Sequence, residues 1–138
     1  MNFVVLYFAT LVVFLAIDAL GLRFILRPLF EQNVGELLLD EFRLAPALIF
    51  YSFYIGCVLW FVSAPALQLG HSWTWVFASG ALLGAMAYGT YEFTNLATLR
   101  AWTWRMVVAD VAWGTVLTAV SAAAGLGIAR ALAPRLSS

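Results

Sequence analysis

A chain of 138 residues that is 64% apolar and only 10% charged, with a mean hydropathy of +0.96, carries too much apolar surface for a water-soluble fold of its size, since soluble domains are about half apolar and about a quarter charged. Seven acids balance seven bases, all of them Arg, so no excess charge points to nucleic acid or another polyanion. The single cysteine, Cys57, has no partner in the chain, which excludes an intrachain disulfide and a cysteine-rich metal site.

The first apolar stretch runs from Phe3 to Leu22. No Lys or Arg precedes it, and it is long enough to cross a hydrocarbon core of about 30 Å, so it reads as a first membrane helix rather than a cleavable signal. The connection from Arg23 to Leu44 holds Glu31, Glu36, Asp40 and Glu41 beside Arg23, Arg27 and Arg43. Within it Val34, Leu38 and Phe42 recur every fourth residue, which predicts a short amphipathic helix at about 31–43 lying in the headgroup layer. A second span follows from Ala45 to Val62, with Pro46 at its start, where a missing N–H costs little. Ser63 to Ser72 forms the next connection, with Pro65, Gly70 and His71 but no Lys or Arg. The third span runs from Trp73 to Tyr91, a polar connection from Glu92 to Arg105, and the fourth span from Met106 to Ile128. Unpaired backbone groups cost several kcal/mol each in lipid, so runs this apolar must be helices. The expected architecture is an all-α integral membrane four-helix bundle, one domain over residues 1–138.

The first and third connections hold five Arg, while the second connection and the termini hold two. By the positive-inside rule both termini face away from the cytoplasm. Trp60, Trp73, Trp75, Trp102 and Trp104 stand at span ends, where amphipathic rings anchor in the interface. Gly80 and Gly84 form a GxxxG step, Ala81, Ala85 and Gly89 repeat the spacing, and Thr115, Ala119, Ala123 and Gly127 do so on the fourth span. Spans three and four should therefore pack closely as an antiparallel pair. The same small-residue faces offer a docking surface to a second copy or to another membrane protein.

Three acids stand out against this apolar background: Asp18, Glu92 and Asp110. A carboxylate at mid-bilayer costs about 2.5 to 3.5 kcal/mol on insertion scales, less near the ends. Asp18 lies one turn before the end of span one, Glu92 closes span three, and Asp110 lies just over one turn into the returning span four. All three thus occupy one side of the membrane, the arginine-rich one. Glu92 shares a helical stripe with Tyr88, Gly89, Ala85 and Ala81, and Asp110 shares one with Trp113, Gly114 and Leu117, which turns both acids inward. Tyr51 and Tyr54 stand about 9 to 14 Å below the same surface, within reach of an inward carboxyl. These positions predict a polar site lined by Asp18, Tyr51, Tyr54, Tyr88, Glu92, Asn95, Asp110 and Trp113, with Arg100 and Arg105 covering it. Asp110, Glu92 and Asp18 are the candidates for acid/base chemistry. In the competing reading each acid, being near a helix end, snorkels to water or pairs with Arg23, Arg27, Arg100 or Arg105 in a structural network.

Other chemistry finds less support. His71 lies on the opposite side with no Cys, His or acid near it to complete a metal set. Ser52, Ser79 and Ser121 have no His within reach to act as a base. No phosphate loop, dinucleotide fingerprint or zinc-protease motif occurs, so the residues name no cofactor.

From Gly84 to Thr118 the string GAMAYGTYEFTNLATLRAWTWRMVVADVAWGTVLT resembles a widespread family of small bacterial inner-membrane proteins of four spans, known as a domain of unknown function. Its signature is an aromatic-acid pair followed by TNLATL, a basic residue and an aromatic, then Asp followed by Ala-Trp-Gly-Thr. Here these are Tyr91-Glu92, Thr94 to Leu99, Arg100, Trp102, Asp110 and Ala112 to Thr115. The family more often has Asp where Glu92 stands, and often an aromatic where this chain has Gly21. The resemblance implies a bacterial inner membrane and groups Glu92, Asn95, Arg100, Asp110 and Trp113 as a unit. Similar proteins often stand beside lipid-modifying enzymes, which implies a role with membrane lipids.

Three functions fit these residues. The first is binding, or enzymatic modification, of a lipid or small hydrophobic molecule at the cytoplasmic leaflet, with Asp110 and Glu92 as acid/base groups and Arg100 holding an anionic headgroup. The second is a proton-coupled transporter, against which the end-placed Asp18 and the biased arginines both count. The third is a structural or accessory subunit of a membrane complex.

Overall fold

In a computed structural model the described residues are 2–39 and 43–136, with side chains as far as Ala133. They form no strand, and helix accounts for nearly all of them. Four helical rods result. The first is α1 (Phe3–Gly21), a wide π-type turn (Leu22–Leu26) and α2 (Arg27–Val34), closed by a 3-10 turn at Gly35–Leu37. The second is α3 (Leu44–Val58), another wide turn (Leu59–Ser63) and α4 (Ala64–Leu69). The third and fourth are α5 (Trp73–Thr98) and α6 (Trp104–Leu136).

Polar side chains begin three of the rods. Asn2 accepts the Val4 N–H at 2.9 Å, Ser72 that of Trp75 at 3.2 Å, and Thr103 that of Met106 at 3.2 Å, each satisfying an N–H that lacks an intrahelical partner. Each wide turn ends two residues before a proline. The ring of Pro28 or Pro65 would strike the carbonyl four residues back. The chain avoids this by widening one turn, so that Arg27 N–H bonds Leu22 O and Ala64 N–H bonds Leu59 O.

The first rod corrects the sequence expectation. Helix does not stop at Leu22 with a separate amphipathic helix at about 31–43; it continues through Pro28 to Val34, and Leu38 is already extended. Phe24, Ile25 and Leu26 keep the run apolar after Arg23, and the wide turn lets it pass Pro28. Residues 40–42 of the expected interfacial helix lie outside the described residues. The other rods also outrun their expected spans, reaching Leu69, Thr98 and Leu136.

Among the described residues, three rods are long and apolar enough to cross a membrane: the first, the second and α6. At 26 residues α5 has the length, but Ser79, Gly80, Gly84, Tyr88, Gly89, Thr90 and Tyr91 dilute its apolarity. Those small residues serve packing. α6 is the central element, lying along α5 on one side and α1 on the other. A Cβ added at Gly84 would overlap Gly114 O and Thr118, and one at Gly80 would touch the Ala119 backbone at 3.0 Å. The α5–α6 pair therefore packs as the GxxxG step predicts, with the Gly80–Gly84 row at the contact. The α1–α6 contact is equally close, since a Cβ at Gly125 would overlap Thr10; its signal was only the run of small residues around Gly125. Leu6, Phe14, Ile55, Val58, Val62, Val76, Leu117 and Leu126 fill the space between the rods. Val12, Ile49, Phe53, Leu82 and Val108 point outward and exposed, as hydrocarbon solvates them and water does not.

Candidate functional site

Asp18, Glu92 and Asp110, on three different helices, are 3%, 0% and 7% exposed. The antiparallel course of α5 and α6 brings Glu92 near the end of one helix beside Asp110 near the start of the next, and their carboxyls lie within hydrogen-bonding reach of each other. α1 delivers Asp18 to the same end, as an electrostatic neighbour of Asp110. The convergence expected from the sequence is thus present.

Among the described residues, indole N–H groups, not arginines, hold two of these acids, Asp18 and Glu92. Trp113 Nε1–H donates to Asp18 Oδ1 at 3.2 Å, and Trp102 Nε1–H donates to Glu92 Oε1 at 3.1 Å. Among the described residues Glu92 Oε2 has no donor. Two ionised carboxyls facing each other offer only acceptors, so the Glu92–Asp110 contact becomes a hydrogen bond when one of them carries a proton. The ion pair found among the described residues joins Arg27 and Glu31 at 2.8 Å, away from the three acids, with both side chains half exposed. Arg23, Arg100 and Arg105 are exposed. The network of acids pinned to arginines is therefore not what the described residues form, and Arg100 and Arg105 are exposed.

Two glycines make room for the rings. A Cβ at Gly21 would overlap the Trp113 indole, and one at Gly114 would overlap the Tyr88 ring. The bare backbone at Gly21 is what admits Trp113 to Asp18. Tyr51 stands beside Asp18, as expected. Tyr54 does not reach a carboxyl: its hydroxyl pairs with Thr118 Oγ1 at 2.8 Å. Tyr88 lies among Asp18, Tyr51, Tyr54 and Asp110. Asn95, half-buried, turns toward Tyr91. Trp102 and Thr118 were missed as site residues. Trp102 had a signal, its place in the string after TNLATL, which also reads as an interfacial anchor; it packs on Phe30 at 5.5 Å and Tyr91 at 5.9 Å, tying α2 to the α5–α6 turn.

The three acids are buried. An open groove of about 660 Å³ lies elsewhere, between α5 and α6 from Trp73 to Ala81, and none of the three acids lines it. His71 stacks on Trp75 at 3.9 Å, and the described residues contain no group of three or more His, Cys, Asp or Glu placed to hold a metal ion.

Trp113→Phe should lower stability by about 1 to 3 kcal/mol, because it strands a buried acceptor on Asp18. Thermal unfolding in detergent reads the loss, and Asp18→Leu added to Trp113→Phe should recover part of it, as a coupled pair requires.

A family model described as "Predicted membrane protein (DUF2177)" matches residues 3–127. No curated protein and no solved structure matches.

Proposed function

We propose that this chain, which belongs to the DUF2177 family of predicted membrane proteins, crosses a bacterial inner membrane four times and binds a lipid or small hydrophobic molecule at its buried carboxyl cluster, on the cytoplasmic side. The observation that carries this reading is the burial of Asp18, Glu92 and Asp110 together without an arginine partner among the described residues. Intramembrane acids that do not serve an ion pair are retained at a cost, and function is the default reason. In this orientation α5 is the third of the four crossings, shielded by α6, and both termini face the periplasm, as the five arginines of the two opposite connections favour.

The chemistry of the cluster suits a ligand that donates hydrogen bonds. Glu92 and Asp110 supply acceptors, and Trp113 and Tyr88 supply ring faces beside them. Arg100, in the turn between α5 and α6, and Arg105, at the start of α6, are exposed and would take a headgroup phosphate. A reaction on the ligand would use Asp110 and Glu92 as acid and base. The side-by-side Glu92 and Asp110 also favour a second reading, proton-coupled transport, in which the pair takes up and releases a proton.

Native mass spectrometry of gently extracted protein tests the first reading. The wild-type chain should carry a small molecule that Asp110→Asn retains at least about tenfold less, a loss of roughly 1.4 kcal/mol. A wild-type chain with no bound species, or equal retention by the variant, would overturn it. Proton-driven uptake into liposomes that is lost in Asp18→Asn would favour the second.

A further inference from the structure

The groove between α5 and α6 lies at the other end of the bundle from the acids. Trp73, Phe77, Ala78 and Ala81 form one wall, Val116 and Ala119 the other, and it is open along its side. Thr74 to Ala81 covers about 10 Å along the helix. At its Trp73 end stands Arg130 of α6, whose guanidinium lies 5.1 Å from the Trp73 ring centre. The Trp73 indole in turn lies against Gly127, where an added Cβ would be 3.8 Å away. An exposed cation is thus fixed on an interfacial tryptophan at the mouth of an apolar channel.

We propose that this groove binds one phospholipid with an anionic headgroup, its phosphate on Arg130 and the start of an acyl chain along Trp73 to Ala81. Charge complementarity selects this occupant. The described segments at this end, residues 2, 63–72 and 129–136, contain no Asp or Glu. A second copy in the same orientation would therefore bring no acidic side chain to Arg130, whereas a lipid phosphate at that depth does. This site is distinct from the carboxyl cluster and does not depend on it.

The test uses the full chain in nanodiscs of phosphatidylcholine with a minor share of phosphatidylglycerol, followed by native mass spectrometry of released protein. The wild type should retain phosphatidylglycerol in preference to phosphatidylcholine. Arg130→Gln should cut that preference about fivefold, as loss of one interfacial cation implies. Ala78→Phe, which fills the groove, should reduce retention of both lipids, and circular dichroism confirms that each variant folds. Arg130 faces outward, so its variant decides the matter even where Ala78→Phe does not fold. Unchanged preference in Arg130→Gln overturns the proposal, as does a protein dimer that Ala78→Phe dissociates.

Discussion

Glu92→Gln combined with Asp110→Asn should make the protein more stable, not less, by about 1 to 3 kcal/mol, while removing whatever the carboxyl cluster binds. The neutral amides keep the shape of the carboxyls, and each brings an N–H donor to a contact that otherwise offers only acceptors until a proton arrives. Glu92 is fully buried, with Oε2 lacking a donor among the described residues, so the substitution relieves a desolvated acceptor as well as a like-charge contact. Acids kept for structure behave in the opposite way: removing one partner of a buried pair destabilises by about 3 to 5 kcal/mol. Thermal unfolding of the two proteins in one detergent separates the cases by sign. A lower midpoint in the double variant would return the acids to a structural role.

Gly84→Leu should prevent the bundle from assembling. The Cβ alone would overlap the Gly114 carbonyl and the Thr118 side chain, and a backbone carbonyl cannot swing away as a flexible side chain can. Overpacking typically costs about 1 to 3 kcal/mol; here the whole α5–α6 interface must open, so the cost lies at or above the top of that range. The damage spreads to the site, because Tyr88 rests on Gly114 and Thr118 bonds Tyr54. Extracted protein should elute as aggregate on size exclusion. Gly89→Leu is the matched control: a Cβ there meets only Phe93 of its own helix at 3.8 Å, so it should fold. Equal behaviour of the two variants would contradict the packing described.

The sequence made the helix starts legible and the helix ends much less so. Phe3, Leu44, Trp73 and Trp104 fall within two residues of where apolarity begins, since capping residues and charge mark that boundary. Apolarity then reports where hydrocarbon stops, not where backbone hydrogen bonding stops, and Arg23 through Val34 remain helical with polar residues aboard. The three acids were conspicuous for the same reason, being charges in apolar runs whose depth follows from counting residues. Their partners were not. Whether Tyr54 meets a carboxyl or Thr118 depends on the azimuth of its side chain around its helix axis. Residue counting fixes height along a helix far better than direction across it.

The wide turns at Leu22–Leu26 and Leu59–Ser63 bear on that direction. In the first rod the buried positions Leu6, Thr10, Phe14 and Asp18 recur every four residues, a step that drifts by about 40° each time in a helix turning 100° per residue. Left uncorrected, Leu26 would point about 80° away from Asp18. One surplus residue in the coil subtracts a step and returns it to within about 20°, so the stripe meets the same neighbour again. The prolines thus work as a vernier: each forces a one-residue slip that resets the phase of its rod, and a single deletion beside Pro28 would rotate everything after it out of alignment without shortening the contact by more than one rise.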